Sequence, residues 1–551
     1  MNDPTFFGGG PRSRALSFRM PSALAGWLAV AAATLSSGLA RGDEKPAPAQ
    51  RPNILFLIAD QHNAKFLGCG RVVPVKTPNL DRLAREGVRF TSAVTNDPIC
   101  TPSRVTYFSG QYVHNHGCYG LSGPSIDPLP NVLGHFRAAG YKTAAIGKIH
   151  CPLHWIENDS DVFREVYADL APDFRCPYDD YLKKLGLEKL RDDVLQIRDA
   201  RPSRLPYEHS VEHWCVEEAM KFIDSCGPKP WIMQVSLPRP HMAYIPARKF
   251  WDLYDDATIW LPPNVDADLT DKAPHLRAMR RAEEQGAAAS RFGRKTYEAL
   301  RHRRQHGYLA CVTQVDYAVG ELLNYLDQHG LAQNTIVLYT SDHGDFGCEF
   351  GLLEKAPGIC ADAVCRIPCI WRWPGHIPAG RVCDRIVQPV DVAPTFCALA
   401  GVPPMRTADG EDLTPLLAGE DRQVHPIGVT EHPWSKAVLK GHWRLVYYPR
   451  GFFGKTEHGG DFGELYDLAH DPWETKNLYF DPRYRDKVHE LQRDLLDWLV
   501  TTAHVKTVWP RIPPRTAAVP QGANPEFFYQ QEADGKLSWR DVKAMKNLDY
   551  K

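Results

Sequence analysis

The chain has 551 residues, with 65 basic against 66 acidic side chains and a formal net charge of −1. That balance offers no global attraction to nucleic acid or to an anionic membrane, so a charged ligand has to be met by a local arrangement of residues. The length accommodates roughly two to four domains.

Arg12, Arg14 and Arg19 precede the apolar run "ALAGWLAVAAATL" (Ala23–Leu35), and the small residues of "SSGLA" end at Ala40. This is the plan of a secretory signal peptide over residues 1–40, cleaved near Ala40. The run falls short of the roughly 18 to 20 apolar residues that span a bilayer, which argues against a stable membrane anchor. A periplasmic or secreted protein is the expectation, with residues 41–50 as a flexible leader.

Short apolar runs then alternate with helical patterns. "NILFLIAD" (Asn53–Asp60), "YKTAAIGK" (Tyr141–Lys148), "WIMQVSL" (Trp231–Leu237) and "NTIVLYTSD" (Asn334–Asp342) read as buried strands. Helices are expected over Thr77–Gly87, capped by Thr77 with Pro78 in its first turn, and over Val312–Gly330. The charge-rich stretch Arg280–Gly307 reads as a solvated helical face. The alternation predicts an α/β fold, a sheet flanked by helices. After "PVDVAPTFCALAGVP" (Pro389–Pro403) the texture changes: Ala437–Pro449 reads as a hairpin, Lys487–His504 as an amphipathic helix, and a Pro-rich tail follows.

Fourteen cysteines in an exported chain invite disulfides, although no connectivity can be read from their spacing. No closely spaced Cys/His set suggests zinc, and "CRIPC" (Cys365–Cys369) lies in a strand-like stretch. Cys100 sits in "NDPICTPSRVTYFSG", a polar segment that offers neither an evident core position nor a disulfide partner.

Each expected strand ends in reactive-type residues: Asp60 and Gln61, Lys148 and His150, His241, and Asp342 and His343. Ligands of open α/β sheets sit at the carboxyl ends of strands, so four segments aim at one rim. Asp60, Gln61, Asp342 and His343 make a mostly oxygen set suited to a hard divalent cation, Ca²⁺ or Mg²⁺. Arg104, Lys148 and Lys355 add positive charge, and His150 and His241 can move protons or hydrogen-bond oxygens. Together they suggest a pocket for a tetrahedral oxyanion. Taken singly, each has a plainer explanation: Asp60 as a turn or cap residue, the histidine of "RPH" as a hydrogen-bonded side chain, Lys355 as a solvated loop lysine.

"CTPSR" (Cys100–Arg104) resembles the signature of the formylglycine-dependent sulfatase family. The resemblance runs on through "TPNLDRLAREGVRFTSAV", "AAGYKTAAIGKIH", "SDHGDFGCEFG" and "ELYDLAHDPWETKNL". It implies an alkaline phosphatase-like α/β fold with a large, mainly parallel mixed sheet in a catalytic domain over 51–425. A smaller C-terminal α+β subdomain of antiparallel sheet, helix and tail would occupy 426–551.

The resemblance also implies a mechanism. A maturation enzyme that reads Cys100, Pro102 and Arg104 in the extended chain oxidises Cys100 to Cα-formylglycine. The aldehyde hydrate attacks the sulfur of a sulfate monoester, and its collapse expels sulfate. Asp60, Gln61, Asp342, His343 and the modified Cys100 would hold the metal, Arg104 and Lys148 the hydrate, and His150 would be the base that triggers collapse. His241 and Lys355 would contact sulfate oxygens, with His241 protonating the leaving alcohol. The substrate would be a sulfated carbohydrate or another small sulfate ester. Gln61 departs from the second aspartate of many members and resembles the choline-sulfatase and phosphonate-monoester-hydrolase branch, which keeps a phosphate or phosphonate ester hydrolase as the alternative. A secreted carbohydrate-binding protein with an unconverted cysteine is the reading from a different class.

Overall fold

Alternation along "NILFLIAD" sets the layering. In β1 (Asn53–Asp60) all eight residues are buried. Ile54, Phe56 and Ile58 face one core with Tyr107, Phe108, Trp371 and Phe396. Leu55, Leu57 and Ala59 face a second core with Trp214, Val315, Val319 and Leu322. A strand apolar on both faces needs helices on both sides, as parallel sheets provide.

The computed structural model describes residues 51–121, 129–166, 176–192, 200–255, 258–288, 297–356, 358–453 and 460–504. The expected signal peptide, leader and Pro-rich tail lie outside them. The other strands of the large sheet are β2 (Val88–Ala93), β3 (Lys142–Gly147), β4 (Val162–Glu165), β5 (Trp231–Pro240), β6 (Thr335–Ser341), β7 (Cys369–Arg372) and β8 (Arg381–Val387). Their order is β4-β3-β5-β1-β6-β7-β2-β8. Only β7 among them runs antiparallel to its neighbours, β6 and β2. The four strands read from sequence are the adjacent central set β3-β5-β1-β6.

A second sheet follows, formed by β9 (Gly428–His432), β10 (Ser435–Lys440), β11 (Trp443–Tyr447) and β12 (Gly463–Asp467). It is antiparallel throughout, with the expected hairpin as β10 and β11. Val429, Val438, Leu445 and Leu465 pack against Val488, Leu491, Leu495 and Trp498 of the helix Arg485–Thr502. No helix among the described residues is long and apolar enough to cross a membrane.

Four local expectations need correction. Thr77 makes no cap hydrogen bond. Its hydroxyl accepts from Gly68 N and donates to Asp81, and the free N–H groups of Asn79 and Leu80 go to Asp316 instead. The charge-rich stretch is not a uniformly solvated face. Its described residues lie in the helices Pro274–Ala288 and Tyr297–Gln328, where Arg301, Arg304, Gln305 and His306 are buried and Arg304 pairs with Glu283, while residues 289–296 lie outside the described residues. A charge can be buried there because its partner is buried with it. All fourteen cysteines, each within the described residues, are free thiols, thirteen of them buried and acting as small apolar side chains. "CRIPC" is divided, Cys365 ending the helix Asp362–Cys365 and Cys369 opening β7.

Candidate active site

The carboxyl ends of β3, β5, β1 and β6 are neighbours, so the residues that follow these strands meet. Asp60 closes β1, Lys148 and His150 follow β3, His241 follows β5, and Asp342 and His343 follow β6. Cys100 opens the helix Cys100–Ser109, every residue of which is buried. The polar loop expected around Cys100 is therefore a buried helix, and its polar side chains bond to the strand ends. Ser103 and Thr95 donate to the Asp342 carbonyl at 2.7 and 2.6 Å, and Asp97 accepts from Ile99 N at 2.8 Å.

Arg104 lies one helical turn past Cys100, on the same face. Its Nε donates to Asp342 Oδ2 at 2.9 Å, and its Nη1 to Ser236 Oγ at 2.8 Å and to the Lys148 carbonyl. Its Nη2 is 3.4 Å from Asp60 Oδ2, which Lys148 Nζ also pairs. Cys100 Sγ is 3.1 Å from His343 Nε2 and 3.9 Å from both Asp60 Oδ1 and Lys148 Nζ.

Asp60, Cys100, Asp342 and His343 are all buried and each offers one donor atom, the four lying within 4.8 Å of one another. His343 Nδ1 donates to the Gly344 carbonyl at 2.9 Å, which leaves the Nε2 lone pair facing the cluster. Two carboxylates, one imidazole and the adjacent Gln61 amide fit a hard divalent cation. The electrostatics favour ionised donors. Burial pushes the Asp60 carboxyl up, but Lys148 foremost, with Arg104 and Lys355, holds it well below the usual range. Burial and Asp60 likewise raise the Cys100 thiol, yet Lys148, Lys355 and His343 together bring it well below its ordinary value.

Gln61 has left-handed backbone geometry at φ 69°. Its N–H donates to Asp342 Oδ1 at 3.0 Å, its Nε2 to Asp345 Oδ2 at 2.5 Å, and its Oε1 accepts from Lys355 Nζ at 2.7 Å. Lys355 also donates to His241 Nε2 at 2.8 Å, while His241 Nδ1 donates to the Met242 carbonyl at 2.7 Å. An ammonium can only donate and a carbonyl only accept, so these partners define His241 as a neutral imidazole protonated on Nδ1. Burial and then Lys355 hold its pKa well below the ordinary value.

His150 is the least tied of the expected residues. Its backbone is left-handed at φ 49°, its N–H donates to Glu165 at 2.9 Å, and its buried Nδ1 has no hydrogen-bond partner.

Asp345 is a further member of the site that the sequence motifs do not single out. Its Oδ2 accepts from Gln61, from Tyr244 at 2.8 Å and from Glu354 N at 3.1 Å, and so joins the β1, β5 and Lys355 segments. Burial first among the causes pushes it up to about 6. Its only sequence signal is its position two residues after His343 in "SDHGD".

A family model described as Sulfatase matches residues 52–402, and one described as N-sulphoglucosamine sulphohydrolase, C-terminal, matches residues 348–500. The choline-sulfatase of Rhizobium meliloti (strain 1021) is 30% identical over 455 residues, covering 79% of this chain and 83% of its own length. The N-acetylglucosamine-6-O-sulfatase of Bacteroides thetaiotaomicron is 27% identical, with 81% and 85% covered. Among solved structures, the phosphonate monoester hydrolase of Silicibacter pomeroyi superposes with a TM-score of 0.69 at 21% identity, covering 82% of this chain and 96% of that one. At that identity the likeness speaks to the fold.

Proposed function

The chain belongs to the sulfatase family and is a sulfuric ester hydrolase, and from that premise we propose that it cleaves sulfate monoesters of carbohydrates or other small alcohols, with Cys100 converted to Cα-formylglycine as its nucleophile. The observation that carries this reading is the buried quartet Asp60, Cys100, Asp342 and His343, surrounded by Arg104, Lys148 and Lys355. Asp60, Gln61, Asp342, His343 and the modified Cys100 would hold Ca²⁺ or Mg²⁺. Such an ion, when bound, lowers the pKa of an oxygen nucleophile and neutralises charge on the ester.

The chain's own residues supply the rest. Arg104 and Lys148 orient the side chain at position 100 and ion-pair with the carboxylates behind it. Lys355 and His241 would give donors to the sulfate oxygens and the leaving oxygen. His241 Nε2 accepts from Lys355, so a proton passed to the leaving alcohol originates on the Lys355 ammonium, either directly or through His241. His150, with its uncommitted Nδ1, is the base that takes a proton from the hydroxyl-bearing side chain at position 100. Conversion of Cys100 requires a maturation enzyme acting on the chain before it folds, since the folded protein buries Cys100. We further read the chain as exported after cleavage near Ala40, with a catalytic domain to about residue 425.

Gln61 in place of a second carboxylate favours the second reading, a phosphate or phosphonate ester hydrolase on the same scaffold. Matched aryl sulfate, phosphate and methylphosphonate esters, assayed on one metal-loaded preparation, separate the two. The sulfate is expected to lead in kcat/KM by at least about tenfold, roughly 1.4 kcal/mol of transition-state preference. A lead for the phosphonate or phosphate would transfer the protein to the second reading.

A further inference from the structure

The second sheet meets the catalytic rim at the turn between β9 and β10, and that turn is held from two sides. Toward the segment that leads into Cys100, Glu431 N donates to the Asn96 carbonyl at 2.8 Å and Thr430 Oγ1 to the Thr95 carbonyl at 2.6 Å. Toward the segment that carries Lys355, Ser435 Oγ donates to the Gly358 carbonyl at 2.9 Å. The Trp434 ring packs so closely there that a Cβ on Gly358 would stand 2.8 Å from it. The turn therefore joins the two segments that deliver Cys100 and Lys355.

Buried polar atoms without hydrogen-bond partners collect around this turn. They are Asp97 Oδ2, Asn96 Nδ2 and His432 Nδ1, on side chains that belong to residues 0%, 0% and 4% exposed. Folded proteins leave few such atoms, and each is costly unless something outside the chain satisfies it. Lys436 is a neighbour of His432 and acts on Asp97. Its Nζ donates to the His432 carbonyl at 3.0 Å, lies 3.6 Å from Glu431 Oε2 and stands 5.6 Å from the centre of the Tyr119 ring. Its charge acts on both Asp97 and His432.

Glu431 is already engaged, accepting from His114 Nδ1 at 3.0 Å and from the Tyr119 hydroxyl at 3.3 Å. Burial raises the Asp97 carboxyl well above its usual range, and burial with Lys436 holds His432 at about 3. What remains is a carboxyl oxygen, an amide N–H and a ring nitrogen without partners in the chain, beside one ammonium. Such a set pairs with hydroxyl groups. A quaternary ammonium has no N–H to give these acceptors, and its natural aromatic partner here, Tyr119, already has Lys436 beside its face.

Building on the sulfatase reading above, we propose that Asn96, Asp97, His432 and Lys436 form the subsite for the leaving alcohol, and that this subsite takes a hydroxylated, saccharide-type group and rejects a quaternary ammonium alcohol such as choline. Polar groups placed to pair with a substrate hydroxyl discriminate strongly against a substrate that lacks it.

The test compares the wild-type protein with Asp97→Asn and Lys436→Met. Lys436 is partly exposed, so its replacement keeps the test open if Asp97→Asn does not fold. One readout is the kcat/KM ratio of monosaccharide sulfates to 4-nitrophenyl sulfate, which has no aliphatic hydroxyl. The ratio is expected to fall at least tenfold in each folded variant. The other readout is calorimetric binding of unsulfated N-acetylglucosamine, glucose and glucuronate, with choline as the contrast. A saccharide should bind the wild type and weaken in both variants, and choline should not bind. An unchanged ratio in folded variants, choline binding as tight as that of every saccharide, or no saccharide binding at all would overturn the proposal. A wild type that cleaves no sulfate ester would defeat the sulfatase reading, and the binding of unsulfated sugar would still decide the subsite.

Discussion

Two buried clusters in this protein each set a cysteine among arginines and carboxylates, and only one of them has the composition of an active site. Around Cys365, Arg444 pairs with Glu474 and reaches the thiol at 3.6 Å, Arg366 bonds Asp362 at 3.0 Å, and Asp362 N donates to Glu474 at 2.9 Å. Around Cys100 the cations are Arg104, Lys148 and Lys355, and the acids are Asp60 and Asp342. Both thiols lie below their ordinary pKa despite burial. A perturbed thiol therefore does not mark chemistry by itself. The difference is convergence. At Cys365 the arginines and carboxylates pair with one another, whereas at Cys100 neighbouring strand ends aim metal-type donors at one point.

The comparison can be broken most sharply by removing each sulfur. Cys100→Ala should abolish turnover while the protein still unfolds cooperatively, because the helix Cys100–Ser109 is anchored by Arg104, Ser103 and Tyr107 more than by the thiol. More than a trace of sulfatase activity in that variant would contradict the nucleophile assignment. Next in size, chelation by EDTA or EGTA should remove activity, and Ca²⁺ or Mg²⁺ should restore it. Full activity after verified metal removal would sink the reading of the quartet as a metal site. The smallest effect is expected at Cys365→Ala, which should leave kcat/KM in place and lower stability by about 1–3 kcal/mol, read from thermal unfolding. A loss of turnover there with no loss of stability would erase the contrast.

The active-site half of this contrast is legible in the sequence. Continuous apolar runs with polar ends identified β1, β3, β5 and β6, because a strand buried on both faces has little compositional freedom. β2, with its alternating burial, and the four-residue β4 and β7 carry too little pattern to stand out. The site residues were legible because each follows a strand and several share motifs. Asp345 and Glu431 are not, since a lone acid reads as solvated unless its donors are known, and theirs come from distant segments. The buried pair Arg304 and Glu283 escapes the sequence for the same reason: charge pattern along one helix says nothing of a partner on another.

The central claim is that Cys100 is the precursor of the nucleophile, and the mass of the proteolytic peptide containing Cys100, from an active preparation of known specific activity, tests it most directly. The account predicts the aldehyde form, in which the side-chain CH₂SH has become CHO, at an occupancy that tracks activity across preparations. Full sulfatase activity with Cys100 present only as the unmodified cysteine would contradict it.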